Sequence, residues 1–152
     1  IFLMDKHNLS SKDMLNMVNK EIGLAGISGV SSDMREITAA AKQGNEKAIL
    51  SLEMYEQRIT KYVGAFAAEM GGVDIIVFTG GVGEHQSSTR ANVCNPLRFM
   101  GVEIDDAAND ANNGDEGIIS TPNSAVKVVV IPTDEEYMIA KDTEAIIEGR
   151  EP

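Results

Sequence analysis

The residues best able to do chemistry lie in one stretch, Asp74-Ile75-Ile76-Val77-Phe78-Thr79-Gly80-Gly81-Val82-Gly83-Glu84-His85-Gln86-Ser87-Ser88-Thr89-Arg90. Ile75 to Phe78 are apolar without a break and run into a turn with glycine at 80, 81 and 83. Glycines there let the backbone turn sharply and leave no Cβ between the main chain and a ligand. A helix is expected next, with Glu84 early in it and Ser87 and Ser88 nearby. Its first turn would direct unpaired N–H groups back at that space, where phosphate or ribose oxygens bind. These residue types point to nucleotide binding. A sharp strand–helix connection with no ligand is the other reading of the same turn. Two phosphate motifs are excluded: Gln86 stands where the third glycine of the dinucleotide fingerprint belongs, and no Gly-Lys-Ser/Thr follows.

Other candidates each have a plainer reading. Asp33 and Arg35 read as a helix cap and a solvated charge, or as ligand contacts. Glu135, in the acidic run Asp134-Glu135-Glu136, reads as a first-turn acid on the helix dipole. It equally reads as a Mg²⁺ ligand acting through water, since magnesium keeps much of its hydration and uses few protein carboxylates. His7 and His85 are too few and too far apart for a zinc or nucleophile site. The single cysteine, Cys94, reads as a small core residue.

The elements that must position these groups follow from periodicity. Ser10 caps a helix with Met14, Leu15, Val18 and Ile22 on its apolar face, which Gly23 ends. The segment 24–32 reads as a tight loop with room for a short strand. Asp33 and Glu36 match a capping pattern for a short helix to about Lys42. Asn45 opens the longest helix, whose stripe is Ala48, Leu52, Tyr55, Ile59, Tyr62, Phe66 and Met70; Gly71 and Gly72 stop it. A strand over 74–79, apolar at every central position, reads as buried on both faces of a sheet with helices above and below. After the glycine turn a helix runs to about Asn95, ended by Pro96. Residues 99–120 read as two short strands around an acidic loop, 109–117. A second buried strand, 125–131, leads to a helix capped by Thr133-Asp134-Glu135-Glu136 and running to about Glu148. If the two buried strands are parallel, the glycine turn and the Thr133–Glu136 turn share the sheet edge where ligands of open α/β sheets collect.

Bulk properties narrow the classes. At 152 residues the chain is one domain by size, long enough to bury a core. Hydrophobic content of 43% and charged content of 24% are ordinary, but the net charge of −11 is not. Such a surface repels phosphate backbones and anionic lipid, which argues against nucleic-acid or membrane partners. A lone cysteine allows no internal disulfide and fits a reducing, cytoplasmic setting. No apolar stretch is long enough to span a bilayer. The chain opens on Ile1 without a secretory pattern, so a fragment or a processed form of a longer protein is expected.

Three segments taken together resemble the acetate kinases: Gly26-Ile27-Ser28-Gly29-Val30-Ser31-Ser32-Asp33-Met34-Arg35, Val77-Phe78-Thr79-Gly80-Gly81-Val82-Gly83-Glu84, and Ile131-Pro132-Thr133-Asp134-Glu135-Glu136. The resemblance runs from the first helix through the last. It implies an α/β fold, a partial actin/hexokinase/Hsp70-like (ribonuclease H-like) domain with helices flanking a mostly parallel sheet. It also implies reversible transfer of the ATP γ-phosphoryl group to acetate, giving ADP and acetyl phosphate with Mg²⁺. By the same resemblance, Asp33, Met34, Arg35, Gly81, Val82, Gly83, Glu84 and His85 fall on nucleotide-contacting segments, and Glu135 on a magnesium-associated glutamate. The family usually carries an aromatic at the Met34 position and asparagine at the His85 position. Residues 1–152 would be the C-terminal nucleotide-binding part. The phosphate-binding loop, the acetate pocket and the transition-state Arg, His and Asp would lie upstream, leaving no catalytic residue here and an inactive fragment. A homodimer is the expected assembly, and exposed apolar faces with a strand at 74–79 lacking a neighbour are expected of the isolated chain. The alternatives are a self-standing nucleotide-binding or oligomerisation module, or a related kinase with another acyl acceptor.

Overall fold

A computed structural model describes residues 1–150, and the chain divides into two compact units that meet within one long helix, after Phe66.

The first unit is helical. After α1 (Phe2–His7) the chain turns at Asn8, whose φ of 52 is left-handed. Helix α2 (Ser11–Asn16) starts with a reciprocal cap: Asp13 N–H donates to Ser10 Oγ at 3.2 Å, and Ser10 N–H donates to Asp13 Oδ2 at 3.1 Å. The helix expected to reach Ile22 does so, but its last stretch, Met17–Glu21, widens into a π-turn closed by Gly23. Leu15, Val18 and Ile22, its expected apolar face, are exposed. The loop expected over 24–32 is instead helical at its start, as α3 (Leu24–Ser28). Gly23 and Gly29 take the positive φ values there while Gly26 stays inside the turn, so two glycines bracket the segment and the third does not break it. Helix α4 (Met34–Lys42) is capped by Asp33, which accepts from the Arg35 amide rather than from Glu36. Helix α5 (Glu46–Met70) is capped by Asn45. Its stripe is buried at Ala48 but exposed at Tyr62, Phe66 and Met70.

The second unit holds a three-stranded sheet in the order β1 (Ile75–Phe78), β3 (Lys127–Val130), β2 (Gly117–Ile118). Strands β1 and β3 are parallel, with Ile76 opposite Val128 and Phe78 opposite Val130; β2 pairs antiparallel with β3. The sheet is therefore mixed, not mostly parallel. The connection from β2 to β3 is short enough to close as a turn, and a parallel crossover needs far more chain. The strand at 74–79 does have a neighbour on one side, and its other side is an edge of the sheet. Nor is β1 buried on both faces: Ile76 and Phe78 are inside, while Ile75 and Val77 are 53% and 48% exposed. Alternating burial means that elements of this unit cover one face only. Val128 and Val130 share that covered face, and Val93, Cys94, Leu97, Val102, Ile119 and Val126 are also buried.

Two further expectations change. The glycine turn is itself a helical turn, α6 (Gly80–His85), and a break at Gln86 separates it from α7 (Ser87–Cys94). Helix α7 ends at Cys94, next to the expected Asn95, and Pro96 sits early in a 3₁₀ turn, Asn95–Met100, where its missing N–H costs nothing. Between 99 and 120, Val102 and Ile104 make only isolated bridges. The acidic loop begins as α8 (Asp106–Ala111), because Asp105 caps it by accepting from Ala108 N–H at 3.0 Å. The final helix is α9 (Glu135–Ile147); Asp134, not Thr133, caps it. No helix among the described residues is long and apolar enough to cross a membrane.

One covered sheet face gives a direct expectation. Val128→Ala, at a fully buried central position, should lower unfolding free energy of this chain by about 2 kcal/mol or more. Val77→Ala, on the open face, should cost less than about 1 kcal/mol. Urea unfolding of the two variants checks the difference.

Candidate functional site

Strands β1 and β3 end side by side, with Phe78 opposite Val130 and Ile131 N–H donating to Phe78 O at 2.9 Å. The chain leaves β1 into α6 and leaves β3 through residues 131–134 into α9. The glycine segment and the Thr133–Glu136 segment therefore share one carboxyl edge of the sheet, as the parallel arrangement requires.

One carboxylate ties the two segments together. Glu84 Oε1 accepts from Gly80 N–H at 2.7 Å, from Thr133 N–H at 2.9 Å and from Thr133 Oγ1–H at 3.0 Å. Gly80 reaches this geometry at φ +71, a backbone state that favours glycine. The Thr133 amide holds the Glu84 carboxyl below its ordinary value of 4.5; the Thr133 hydroxyl, the Gly80 amide and nearby His85 add to this, and burial opposes it. His85 Nε2 lies 3.9 Å from Glu84 Oε2.

A second buried charge holds the other end of α6. Arg90 is fully buried, and its guanidinium donates five hydrogen bonds: to Gly83 O and Glu84 O at 2.9 and 2.7 Å, to Asn109 Oδ1 and O at 2.7 and 2.8 Å, and to Asn112 O at 2.9 Å. That uses every N–H the side chain has. Asn109, itself buried, donates onward to Ser87 O at 2.9 Å. Arg90 thus caps the carbonyl end of α6 and binds it to the carbonyl end of α8. Burial lowers its pKa, Asp110 opposes that, and the group stays charged. Sequence reasoning passed over Arg90, Asn109 and Thr133. The signal for Arg90 was its phase: Val93, Cys94 and Leu97, all buried, follow it at the helical steps +3, +4 and +7.

Around this frame the sequence-identified residues separate. Gly81 has open space where a Cβ would point, whereas a Cβ on Gly83 would meet the Phe78 carbonyl carbon at 3.3 Å. Gly81 is thus unobstructed by its own chain, and Gly83 is needed for packing on β1. His85 is exposed; its Nδ1 is 3.1 Å from Asn113 O, and its ring lies against Gly114. Val82 is half-buried. In the first unit, Asp33 receives Arg35 Nε at 3.0 Å and Nη2 at 2.6 Å. This pairing holds the Asp33 carboxyl at about 2. Met34 is buried while Arg35 is exposed. The pair lies in water, where such bridges add little stability.

Glu135, first residue of α9, is exposed between Asp134 and Glu136. No group of three or more His, Cys, Asp or Glu side chains among the described residues could hold a metal ion by itself. Glu135 is a single exposed carboxylate there, and magnesium keeps much of its hydration and uses few protein carboxylates. Burial pushes the Cys94 thiol up to about 12, which suits a core residue and not a nucleophile.

A family model described as the Acetokinase family matches residues 1–141. The chain is 55% identical over 146 residues to an acetate kinase of Porphyromonas gingivalis, covering 96% of this chain and 37% of that protein. A crystal structure of Porphyromonas gingivalis acetate kinase superposes with a TM-score of 0.88 at 54% identity, covering 96% of this chain and 37% of that one. A crystal structure of a propionate kinase from Francisella tularensis superposes with a TM-score of 0.82 at 35% identity, over 93% of this chain and 35% of that one. The chain thus spans little more than a third of the length of these relatives.

Two outcomes follow from the buried charges. Arg90→Lys keeps the charge but not the planar fork, leaving buried carbonyls unpaired at about 1–3 kcal/mol each. It should therefore cost roughly 3 kcal/mol or more in urea unfolding. Because the Glu84 pKa is depressed on folding, its contribution is present above pH 4.5 and is lost as pH falls through the lower folded value. Melting temperatures of wild type and Glu84→Gln should consequently converge below pH 4.5, with the gap fully open near neutrality.

Proposed function

The chain belongs to the acetokinase family, and on that footing we propose that it is the C-terminal, nucleotide-side part of a kinase transferring the ATP γ-phosphoryl group reversibly to acetate. The observation that carries this reading is the α6 segment, fixed at both ends at the carboxyl edge of β1 and β3, with open space over Gly81. A preformed backbone surface at a sheet edge is what a nucleotide needs in order to be held without the protein reorganising around it.

In this reading the Gly81-Val82-Gly83-Glu84-His85 segment lies along ATP or ADP, Gly81 giving the closest backbone approach. His85, oriented by the Asn113 carbonyl, offers Nε2 as a hydrogen-bonding group. Asp33, Met34 and Arg35 are proposed as a further nucleotide-contacting segment, on the family resemblance; in the first unit Met34 is buried, while Arg35 is exposed and paired with Asp33. Glu135 would hold Mg²⁺ through water, and the metal, when bound, neutralises charge on the transferring phosphates. Clasping of Glu84 leaves its Oε1 no spare capacity for a ligand, so its part in the nucleotide site is to set the backbone around it.

Groups that stabilise the transferring phosphoryl belong to the remainder of the longer protein, so these 152 residues are inactive alone. A cytoplasmic homodimer is the proposed setting, the exposed apolar residues of α5 and of the open sheet face being the surfaces that other chain segments or a second copy would cover. The likeness to a propionate kinase keeps a different short carboxylate as the second reading of the acceptor.

In the full-length protein bearing this sequence, Gly81→Val should raise the Michaelis constant for ATP by about tenfold or more, the loss of one close ligand contact, while that for acetate stays within about twofold. Since nothing in the chain obstructs a Cβ at that position, the melting temperature should hardly move. Equal constants in the folded variant would make the segment a mere connection.

A further inference from the structure

Thr133 has no role in the reading above, yet both of its donors are spent on one oxygen of Glu84. That oxygen also takes the amide of Gly80, which opens the glycine segment. Thr133 lies two residues before Glu135, so α6 and the start of α9 are tied through a single carboxylate oxygen across 49 positions of sequence. Threonine's hydroxyl is a weak cap for its own helix here, because Asp134 performs that task by accepting from Tyr137 N–H at 2.9 Å. The hydroxyl is thus free to reach back to Glu84, and the backbone N–H joins it. Hydrogen bonds to a charged acceptor are shorter and stronger than neutral ones, and this acceptor is largely shielded from water.

We propose that Thr133 is a positioning residue that couples the nucleotide segment to the metal-side carboxylate Glu135, acting through Glu84. The inference rests on the nucleotide and Mg²⁺ assignment above. Because the clasp is already formed, the glycine segment and the turn that carries Glu135 stand in one frame, so nucleotide and metal each meet the other's partner in place; loosening the clasp weakens that mutual support equally in both directions, as linkage demands. Thr133→Val preserves shape and the backbone donor but removes the hydroxyl donor, which loosens the tie without deleting it. Thr133→Ser retains the hydroxyl.

The test is equilibrium binding of a fluorescent ADP analogue to the full-length protein bearing this sequence, with and without Mg²⁺, alongside melting temperatures. Wild type should bind the analogue more tightly with Mg²⁺, by a measurable factor. Thr133→Val should cut that factor by about tenfold, the size of one charge-assisted hydrogen bond, with metal-free affinity changed less than about threefold. Thr133→Ser should restore it. An unchanged Mg²⁺ factor in a Thr133→Val protein with a lowered melting temperature would overturn the coupling and leave a purely structural bond, with the nucleotide reading intact. A wild type that binds the analogue in neither condition would overturn the nucleotide reading and this proposal with it.

Discussion

A guanidinium buried with all five of its donors used determines the shape of the glycine segment. Six residues rich in glycine have little helical propensity of their own and lose much backbone entropy on ordering. Segment α6 nevertheless holds a helical turn because both ends are satisfied from outside: Glu84 returns to the Gly80 amide at the start, and Arg90 takes the Gly83 and Glu84 carbonyls at the finish. Arg90 also fixes α8 through Asn109 and Asn112. Without that charge, the carbonyl ends of two short helices would be buried and unpaired, which is expensive. The five hydrogen bonds of Arg90 go to four peptide carbonyls and the Asn109 side-chain oxygen, while the Asp110 carboxylate acts on it only through its charge.

The same unit is incomplete as a sheet. Covered on one face, it leaves β1 at an edge and Ile75, Val77 and Ile118 exposed on the other. An exposed apolar sheet face beside an unpaired edge favours association. The chain spans 37% of the length of its acetate kinase relative, and elements within the described residues cover one face of β1.

Much of this was legible from residue order. Helix ends at Ser10, Gly23, Asn45 and Gly71 are local chemistry, and local chemistry can be read along the chain. Parallel pairing of the two apolar runs is only a condition at the level of sequence, and the register of β1 with β3 meets it. Burial of β1 could not be read the same way, because it depends on which other elements are present, and Ile75-Ile76-Val77-Phe78 looks identical with one face covered or two. Of the two short strands expected over 99–120, one stands as β2; Val102 and Ile104 have strand character but only single bridges, and Asp105 starts a helix that acidic composition disguises as loop. At the site, glycine spacing marked the right segment but not what shapes it. Arg90 and Thr133 act over 19 to 49 positions, and no local pattern reports a bond of that span.

In the proposed function, α6 is a prebuilt nucleotide surface held from both ends. Hydrogen–deuterium exchange of the full-length protein, with and without ADP and Mg²⁺, tests it most directly at Gly80 to Gly83 and at Thr133. Gly80 and Thr133 amides, both donating to Glu84, should exchange slowly even without ligand. The Gly81 and Val82 amides follow the N-cap Thr79 in the first turn and lack intrahelical acceptors, whereas Gly83 is placed to bond the Thr79 carbonyl. Gly81 and Val82 should therefore exchange faster and slow markedly when ADP is added. Rapid exchange at Gly80 and Thr133 without ligand, or no response at Gly81 and Val82 on saturation with ADP, would contradict it.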